Sequence, residues 1–418
     1  MLTLGVLGGC TTSNGSNPTV TDAATTTNPP APTTTTSTTM GVSFVRAGGW
    51  ARAADPALEG DGYQWISAVM VAGPGLVAAG LDSSGNDPNA AVWTSDHGSS
   101  WTRVEESTLQ GPGAQGIHDL VIGGPGIVAV GFDGSSGDLD GAVWVSADGL
   151  AWDRVAEEAF DAPGDQEIHA IIDTGAGLVA AGYDAVGTAV DAAVWVSSDG
   201  HEWRRIFDPA LGGFGKQRIS SLAMGPGGLV AAGTQYEPND FGLYNLDARV
   251  WVSDDGESWS LVDDPVFGGP GWQFISVVVA GPEGFVAAGT HILGHPGADN
   301  DLAVWVSPDG ITWKLIDEPI FDRPRVQRIS AMIHGPEGII AVGYDTEPLG
   351  NRVPAVWRSA DGTAWARVHD PALQEAGHRW MNAVVLGGPG LVAAGSDGTR
   401  PVGDPAVWLF SLTLARDE

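Results

Sequence analysis

An Ala-Val-Trp-like tripeptide recurs along this 418-residue chain and limits its possible folds more than any other feature. Its tryptophans stand 51 to 56 residues apart, at Trp93, Trp144, Trp195, Trp251, Trp305, Trp357 and Trp408. Self-similarity at a nearly fixed period is the signature of a repeat architecture. We therefore expect one repetitive fold instead of the two or three domains that this length ordinarily indicates.

Each repeat has the pattern of four short strands. In the third repeat, Ile168–Asp173 is followed by Leu178–Asp184, Ala193–Ser197 and Trp203–Ile206. A glycine-rich turn separates the first two segments, and an Asp-Gly hairpin signal separates the last two. A four-stranded antiparallel meander repeated seven times indicates an all-β fold, namely a seven-bladed β-propeller with four strands in each blade.

The two ends of the chain complement each other. The last repeat ends at Leu412 without its fourth strand, whereas Trp50–Leu58 (WARAADPAL) closely parallels Trp365–Leu373 (WARVHDPAL). We therefore predict that the N-terminal strand completes blade 7 and closes a propeller spanning 44–418.

The first 43 residues have a different composition. Met1–Gly9 is apolar and runs into Cys10, and 11–40 contains 13 Thr, 3 Ser and 4 Pro. The apolar segment ending in cysteine resembles the lipobox of bacterial lipoproteins. That resemblance implies a truncated signal peptide with lipobox over 1–10, a lipid on Cys10, and a location at the extracellular face of the cell envelope. Residues 11–43 are predicted to be a disordered tether. The alternative is a chance apolar terminus on a cytoplasmic protein.

The charge of the chain argues against nucleic acid as a partner, and its cysteine content excludes an internal disulfide. The net charge of −32 repels phosphate backbones, so nucleic acid is not an expected partner. Cys10 is the only cysteine, so no internal disulfide can form. We expect a monomer that contacts the membrane only through its lipid anchor.

The turn after the third strand carries a recurring motif, Ser-x-Asp-Gly-x-x-Trp. It occurs at Ser146–Trp152, Ser197–Trp203, Ser253–Trp259, Ser307–Trp313 and Ser359–Trp365. It resembles the Asp-box, or bacterial neuraminidase (BNR), repeat of sialidases and other propellers, with Ser and Asp one place later. The resemblance implies a sialidase-like propeller in which the carboxylate accepts turn amides and the indole packs between sheets.

Insertions mark one face of the predicted propeller. The span from the second-strand glycine to the third-strand tryptophan is 13 residues in four repeats, but 18, 16 and 14 in repeats 4, 5 and 6. Insertions on one face of a repeat protein usually mark its binding face. The side chains expected to contribute to recognition there are Tyr236, Glu237, Asp240, Tyr244, His291 and His295.

A second candidate site is the mouth of the central channel. Six repeats place a glutamine two residues before the first-strand isoleucine, and Arg379 replaces it in the seventh, which suggests a structural ring. We call the next position the mouth; it is occupied by Trp65, Gly116, Glu167, Arg218, Phe274, Arg328 and Trp380. Trp65 and Trp380, together with Arg379, would form a stacking platform for a sugar or an aromatic side chain. Alternatively, the aromatic rings simply plug the channel.

Two patterns suggest metals without establishing them. An aspartate stands four residues before the recurring tryptophan in five repeats. In three of them a second aspartate, Asp133, Asp184 or Asp397, lies seven residues before the first one, across a hairpin. Such pairs suit calcium, although strand-end carboxylates are more often solvated caps; no other cofactor is expected. His118 and His169 occupy matching first-strand positions, but the sequence offers no third ligand, so we expect them to fill polar space.

The functional expectation is binding without catalysis. Sialidases resemble this chain in their Asp-box turns, but they have six blades, an arginine triad and a tyrosine–glutamate pair. Glu167 is the only acid at the mouth, whereas glycoside hydrolysis generally needs two carboxylates. The repeats look uniform, and no blade carries an obvious polar cluster. We therefore predict a non-catalytic envelope propeller that binds a protein or glycan, with a sialidase-like glycoside hydrolase, or a purely structural protein, as alternatives.

Overall fold

The computed structural model divides the chain between Ser43 and Phe44, and every described residue lies in the second part. The described residues are 44–45, 49–411 and 413–414, apart from 61, 157, 188, 239–243, 270, 293–300, 323–324, 348–349, 376, 389 and 400–402. The predictions of a lipid on Cys10 and a tether over 11–43 lie outside the described residues.

The described part of the chain is all-β. Repeats 1, 2, 6 and 7 each form a four-stranded antiparallel sheet, and repeats 3, 4 and 5, with the same antiparallel order inside each repeat, together form one twelve-stranded sheet. Repeats 3, 4 and 5 are further joined by single parallel bridges, Val190 with Lys216 and Leu246 with Trp272. The helices described are six 3₁₀ turns of three residues each, and none of them has the length and apolarity to span a bilayer.

The first four repeats contribute sixteen strands, preceded by two short N-terminal strands. The N-terminal strands are β1 (Phe44–Val45) and β2 (Trp50–Arg52). Repeat 1 contains β3 (Gln64–Ala72), β4 (Gly75–Asp82), β5 (Asn89–Ser95) and β6 (Thr102–Arg103). Repeat 2 contains β7 (Gln115–Gly123), β8 (Gly126–Asp133), β9 (Asp140–Ser146) and β10 (Asp153–Arg154). Repeats 3 and 4 contain β11 (Gln166–Asp173), β12 (Leu178–Val186), β13 (Ala189–Ser197), β14 (Arg204–Ile206), β15 (Lys216–Gly225), β16 (Gly228–Pro238), β17 (Tyr244–Ser253) and β18 (Ser260–Leu261).

The last three repeats follow the same order. Repeats 5 and 6 contain β19 (Trp272–Gly281), β20 (Gly284–Ile292), β21 (Asp301–Ser307), β22 (Lys314–Leu315), β23 (Gln327–Gly335), β24 (Gly338–Thr346), β25 (Arg352–Ser359) and β26 (Trp365–Arg367). Repeat 7 contains β27 (Arg379–Gly387), β28 (Gly390–Asp397) and β29 (Asp404–Ser411), and β30 (Thr413–Leu414) pairs with β1. The 3₁₀ turns are Pro56–Leu58, Ser107–Leu109, Glu158–Phe160, Pro209–Leu211, Pro265–Phe267 and Pro371–Leu373.

The 3₁₀ turns lie in the connections between repeats, where the sequence pattern predicts no regular element. Asp208 precedes one such turn, and its carboxylate accepts the N–H of Ala210 at 2.8 Å. Pro209 follows at the first helical position, where a missing N–H costs nothing. An Asp-Pro pair in the connection is therefore the local cause of the turn.

The N-terminal strand joins the last repeat. β2 pairs antiparallel with β29, so that the sheet of repeat 7 has the strand order β2-β29-β28-β27. The backbone N–H of Trp50 donates to the Asp370 carboxylate at 2.8 Å. Trp259 and Asp208 make the same contact between two consecutive repeats, at 3.0 Å. The first and last segments are thus joined by a hydrogen bond that also joins neighbours inside the chain.

A stack of three side chains supports the middle of several sheets. The Arg205 guanidinium lies 5.0 Å from the ring centre of Trp195 and 3.7 Å from the Asp184 carboxylate. Equivalent stacks occur in repeats 1 and 2 around Arg103 and Arg154. The recurring tryptophans are fully buried between neighbouring sheets. Their indoles therefore belong to the core and not to a binding surface.

Each first strand contains a β-bulge at the same position. In repeat 3, Ile168 pairs with Gly182 and Ala170 pairs with Ala181, so His169 is the extra residue. A Cβ atom on Gly182 would collide with the backbone oxygen of Glu167. Glycine is therefore required by the close approach of the two strands, and the bulge re-aims the side chain that it carries. The bulge of repeat 3 thereby places His169 on the wall of the central cavity.

Candidate binding site at the end of the central cavity

A cavity of about 340 Å³ is lined by the first strands of all seven repeats. The bulge residue of every repeat contributes to its wall: Ser67, His118, His169, Ser220, Ser276, Ser330 and Asn382. The mouth positions lie two residues earlier along the same strands. The cavity and the mouth are therefore built from equivalent positions in the seven repeats.

One side of this cavity carries a polar cluster, which we define as His118, Glu167, His169 and Tyr183. The carboxylate oxygen Oε2 of Glu167 lies 3.1 Å from Nε2 of His118 and 3.4 Å from Nε2 of His169. Its other oxygen, Oε1, accepts the Tyr183 hydroxyl at 2.6 Å. Repeats 2 and 3 therefore do carry a distinctive group of polar side chains, contrary to the expectation that no blade stands out.

The electrostatics of the polar cluster follow from burial and hydrogen bonding. Although burial opposes ionisation of Glu167, hydrogen bonds from its three partners hold the pKa of the carboxyl well below its usual range. Burial, followed by the bond to Glu167, raises the pKa of the Tyr183 hydroxyl. Burial lowers the pKa of His118. At neutral pH the cluster therefore contains an ionised carboxylate beside a protonated phenol.

A second buried carboxyl lies beside the cluster. Asp119 accepts backbone N–H groups from Leu120 at 2.8 Å and from Ile171 in the next repeat at 3.0 Å. Burial raises its pKa to about 6 in spite of these bonds. The Asp119 carboxyl therefore connects two first strands around the cavity.

Arg218 extends the polar cluster to repeat 4. Its guanidinium lies 4.0 Å from the ring centre of Tyr183, which is a cation–π distance. The opposite side of the mouth has the same chemistry, because the Arg352 guanidinium lies 5.2 Å from Trp380 and 4.6 Å from Tyr344. Cations stacked on aromatic faces thus occur at two separate points around the mouth.

A third stacked pair completes this arrangement. Arg328 lies 5.9 Å from the ring of Phe274 in the preceding repeat. We call Arg218, Arg328 and Arg352 the rim arginines. Among the described residues, no carboxylate lies within ion-pair distance of any of the three. Each of these three guanidinium groups lies on an aromatic ring without a carboxylate partner, although the chain has 51 acidic residues.

The predicted tryptophan platform has different contacts from those expected. Trp65 stands edge-on to Tyr63 with ring centres 5.4 Å apart, and Trp380 stands edge-on to His378 at 5.5 Å. Arg379, which stands where the other repeats have a buried glutamine, is not the cation beside them. Its Nε donates to the Asp397 carboxylate at 2.8 Å. Arg352 takes the place beside Trp380, and both tryptophans remain partly exposed.

The insertion of repeat 4 lengthens the hairpin of β16 and β17. Tyr236 pairs across β16 and β17 with Leu246, and the backbone of Tyr244 pairs with Pro238. The Tyr244 side chain, Asp240 and His295 lie outside the described residues. His291 pairs with Asp301 in the next hairpin, and burial lowers its pKa. Tyr236 and His291 thus lie on hairpins, whereas the polar cluster and the rim arginines line the mouth.

The paired aspartates meet across the hairpin as expected, but they have protein partners. Asp133 lies opposite Asp140 and contacts Arg154 at 3.5 Å. Asp397 contacts Arg52 at 3.0 Å. The fourth-strand arginines thus neutralise part of the charge that a calcium site would need.

Two signals in the sequence identify members of the polar cluster. In each repeat, an isolated glycine inside the second strand indicates a bulge in the first strand opposite it. This bulge would turn His118 and His169 toward the central cavity. The residue after that glycine faces the mouth position across the hairpin, which pairs Tyr183 with Glu167. The rim arginine Arg352 occupies no repeated position, and neither signal would locate it.

Comparisons with known proteins give information on the fold alone. No protein-family model matches the sequence, and no curated protein is similar to it. An ulvan lyase of polysaccharide lyase family 25, solved with -[GlcA(1-4)Rha3S]- bound, is similar in structure with a TM-score of 0.53 at 13% identity, over 88% of this chain and 95% of that chain. A protein from Dyadobacter fermentans has a TM-score of 0.49 at 13% identity, over 85% and 96%. A Trypanosoma rangeli sialidase solved with sialic acid has a TM-score of 0.43 at 12% identity, over 83% of this chain and 54% of that chain. The chain has an all-β, propeller-like fold.

Proposed function

We propose that this chain is a closed seven-bladed β-propeller that binds an acidic carbohydrate at the mouth of its central cavity. It binds this ligand without cleaving it, at the outer face of the cell envelope, where a lipid on Cys10 anchors the tether. The observation that carries the proposal is the set of three rim arginines, each on an aromatic face and none with a carboxylate partner among the described residues.

Contacts between the last and first repeats support a closed ring. The Asn382 amide donates to the carbonyl of Ile66 at 2.9 Å, across the junction of repeats 7 and 1. His169, at the equivalent bulge position of repeat 3, contacts the equivalent carbonyl of Ile219 at 3.0 Å. One apolar cluster also combines Ile66 of repeat 1 with Val392 of repeat 7. The junction therefore repeats contacts found between consecutive repeats inside the chain, which supports closure.

The rim arginines support an anionic ligand. A protein of net charge −32 has many carboxylates with which surface arginines can pair. Guanidinium groups that stay unpaired in such a protein, while stacked on rings, are held ready for an external anion. Their planar donor geometry matches a carboxylate or a sulfate. Nucleic acid is a poor candidate, because the overall negative field repels a polyphosphate.

The exposed rings at the mouth support a sugar as the carrier of that anion. Trp65, Phe274 and Trp380 are all partly exposed at equivalent positions of three repeats. Flat aromatic faces bind the apolar faces of sugar rings while neighbouring polar groups fix their orientation. The lyase of similar fold was solved with an acidic polysaccharide fragment, which is consistent with this use of the fold.

A binding assay with the full chain tests the proposal. Uronate-containing and sulfated polysaccharides are compared with neutral ones by affinity electrophoresis and calorimetry. We expect binding to the acidic set alone. Arg352→Ala is expected to weaken it by about 10- to 100-fold, because a charge-assisted hydrogen bond is worth about 1.5–3 kcal/mol.

Two matched variants control the assay. Arg358→Ala removes an exposed arginine from the same strand as Arg352, near its other end, and should leave affinity unchanged. Phe274→Ala should weaken binding, whereas Phe207→Ala removes a ring that is 87% exposed and lies outside the mouth, and should not. Equal effects of Arg352→Ala and Arg358→Ala would refute a site at the mouth.

The polar cluster favours a second candidate function, cleavage of the bound carbohydrate. Glu167, flanked by two imidazoles and a phenol, is the kind of positioned group that proton transfer requires. New reducing or unsaturated ends released from an acidic polysaccharide would identify an enzyme. Loss of that release in Glu167→Gln, with binding retained, would assign the reaction to this cluster.

A further inference from the structure

We propose that His118, Glu167 and His169 form a zinc site on the wall of the central cavity. The ligand set comes from two neighbouring repeats, since His118 is the bulge residue of β7 while Glu167 and His169 belong to β11. This inference does not depend on carbohydrate binding, because three protein side chains would hold the metal and a water molecule can fill the remaining position.

The spacing of the three donor atoms carries the first part of the argument. Glu167 Oε2 lies 3.1 Å and 3.4 Å from the two Nε2 atoms, and all three donors lie within 4.8 Å of one another. Zinc bonds of about 2.0–2.1 Å in a tetrahedron place ligand atoms about 3.3 Å apart. Two of the three separations therefore match the edge of a tetrahedron around one zinc ion, and the third, between the two histidines, is no more than 4.8 Å.

The orientation of the His169 ring supports the same site. Its Nδ1 lies 3.0 Å from the carbonyl oxygen of Ile219, which can only accept a hydrogen bond. Asn382 donates its amide to the equivalent carbonyl, Ile66, at 2.9 Å. This hydrogen bond turns Nε2 toward the Glu167 carboxylate. Nε2 and Oε2 lie 3.4 Å apart, a separation at which one zinc ion could bind both atoms.

The surroundings of the three donors match those of metal ligands in proteins. Zinc-bound histidines usually donate their other N–H to a carbonyl or carboxylate, as His169 does to Ile219. Ligating carboxylates are themselves hydrogen-bonded, as Glu167 is to the Tyr183 hydroxyl at 2.6 Å. Two imidazoles and one carboxylate suit zinc, whereas calcium prefers oxygen ligands alone.

The fourth coordination position would face the cavity. The side chains of His118, His169 and Glu167 are 29%, 22% and 19% exposed, so the donors are accessible without being on the outer surface. Three protein ligands with one open position are typical of zinc sites that bind a water or a ligand atom. A water molecule or an anionic group of a ligand would complete the tetrahedron.

Direct metal binding tests this proposal. The full chain, expressed without a polyhistidine tag and stripped with a chelator, is titrated with Zn²⁺ by calorimetry and with Co²⁺ by visible absorption. We expect one zinc per chain, a cobalt spectrum of four-coordinate intensity, and a higher Tm with zinc. Glu167→Gln and His169→Ala should abolish the spectrum. Tyr183→Phe should lower the affinity for zinc by about 10-fold, because it removes only a hydrogen bond that orients the Glu167 carboxylate.

The controls separate this site from folding and from the carbohydrate proposal. His291→Ala removes a half-buried histidine of repeat 5 outside the cluster and should bind zinc like the wild type. Near-UV circular dichroism establishes that each variant is folded, and Glu167→Gln preserves the size of the side chain. Wild-type zinc affinity in both Glu167→Gln and His169→Ala, or no cobalt spectrum in the intact chain, would overturn the proposal. Carbohydrate affinity measured on the same variants shows whether the binding function survives independently.

Discussion

Arg204 and Arg205 are adjacent in sequence but have different environments. Arg205 is 12% exposed, stacks on Trp195 and donates to the carbonyls of Val194 and Ile206. Arg204 is 58% exposed, and its only ion pair among the described residues is with an equally exposed Glu257. The contribution of an arginine to this fold therefore depends on which face of the fourth strand it occupies.

Arg205→Ala is expected to lower the free energy of unfolding by about 3 kcal/mol. The substitution removes a desolvated cation–π contact and leaves the Asp184 carboxylate without its partner. Arg204→Ala should change the same quantity by no more than about 0.5 kcal/mol, as exposed ion pairs do. Urea denaturation of the two variants measures both values, and equal losses would contradict the role assigned to the stack.

At the scale of the element, the bulge in the first strand and the glycine opposite it form one device. Gly182 allows the backbone of Glu167 to approach so closely that a Cβ has no space. The same collision, always with the backbone oxygen of the mouth residue, is expected in every repeat, at Gly80, Gly131, Gly233, Gly289, Gly343 and Gly395. The mouth and its glycine are therefore structurally coupled.

Gly182→Ala should separate β11 from β12 and displace the polar cluster. We expect a loss of at least about 2 kcal/mol in unfolding free energy, since backbone atoms cannot move aside as a side chain can. Gly268→Ala is the matched control, because a Cβ there meets nothing within 4 Å. Thermal and urea unfolding compare the two; a control as damaging as Gly182→Ala would argue against the close approach.

The turns after the third strands should make stability depend on acid. Asp361 accepts the N–H groups of Thr363 at 2.8 Å and Ala364 at 3.1 Å, which lowers its pKa to about 2 from 3.8. The pKa is lowered for the same reason in the equivalent turn residues Asp148, Asp199, Asp255 and Asp309. Because the unfolded chain binds protons first, this stability is present above about pH 4 and is lost as the pH falls toward about 2.

The Asp361→Asn variant tests that dependence. Its amide oxygen still accepts the turn N–H groups but does not titrate, so its unfolding free energy should fall less steeply between about pH 4 and pH 2. Urea midpoints across this range measure the slope. A slope identical to that of the wild type would mean that the turn carboxylate contributes nothing to acid stability.

At the scale of the whole molecule, periodicity determines most of what the sequence can predict. The four strands of each repeat, the glutamine ring and the mouth positions follow from comparing repeats with one another. Strand lengths and the 3₁₀ turns are harder to predict from the sequence. Gln166 and Glu167 are paired in the sheet, for example, although the sequence pattern starts that strand at Ile168.

The site is harder to predict than the fold because its residues come from different repeats. His118 and Glu167 are 49 positions apart, and only the arrangement of neighbouring first strands brings them within 3.1 Å. Comparing the repeats with one another shows that the two histidines occupy matching positions, but it does not show that both contact Glu167. Arg352 is likewise positioned by contacts with Tyr344 and Trp380, which no local pattern encodes.

The proposed mouth requires a closed ring, and a disulfide between the N-terminal strand and repeat 7 tests this closure most directly. Ala51 lies opposite Leu409 in the β2–β29 pair, and antiparallel partners have Cα atoms about 4.5–5.5 Å apart, within reach of a disulfide. In a Cys10→Ser background, the variant Ala51→Cys/Leu409→Cys should form an intramolecular disulfide under mild oxidation and have a higher Tm. Ala51→Cys/Asp153→Cys, which pairs the same strand with repeat 2, should remain reduced. Disulfide formation in the second variant, or only intermolecular dimers in the first, would contradict a ring closed by its N-terminal strand.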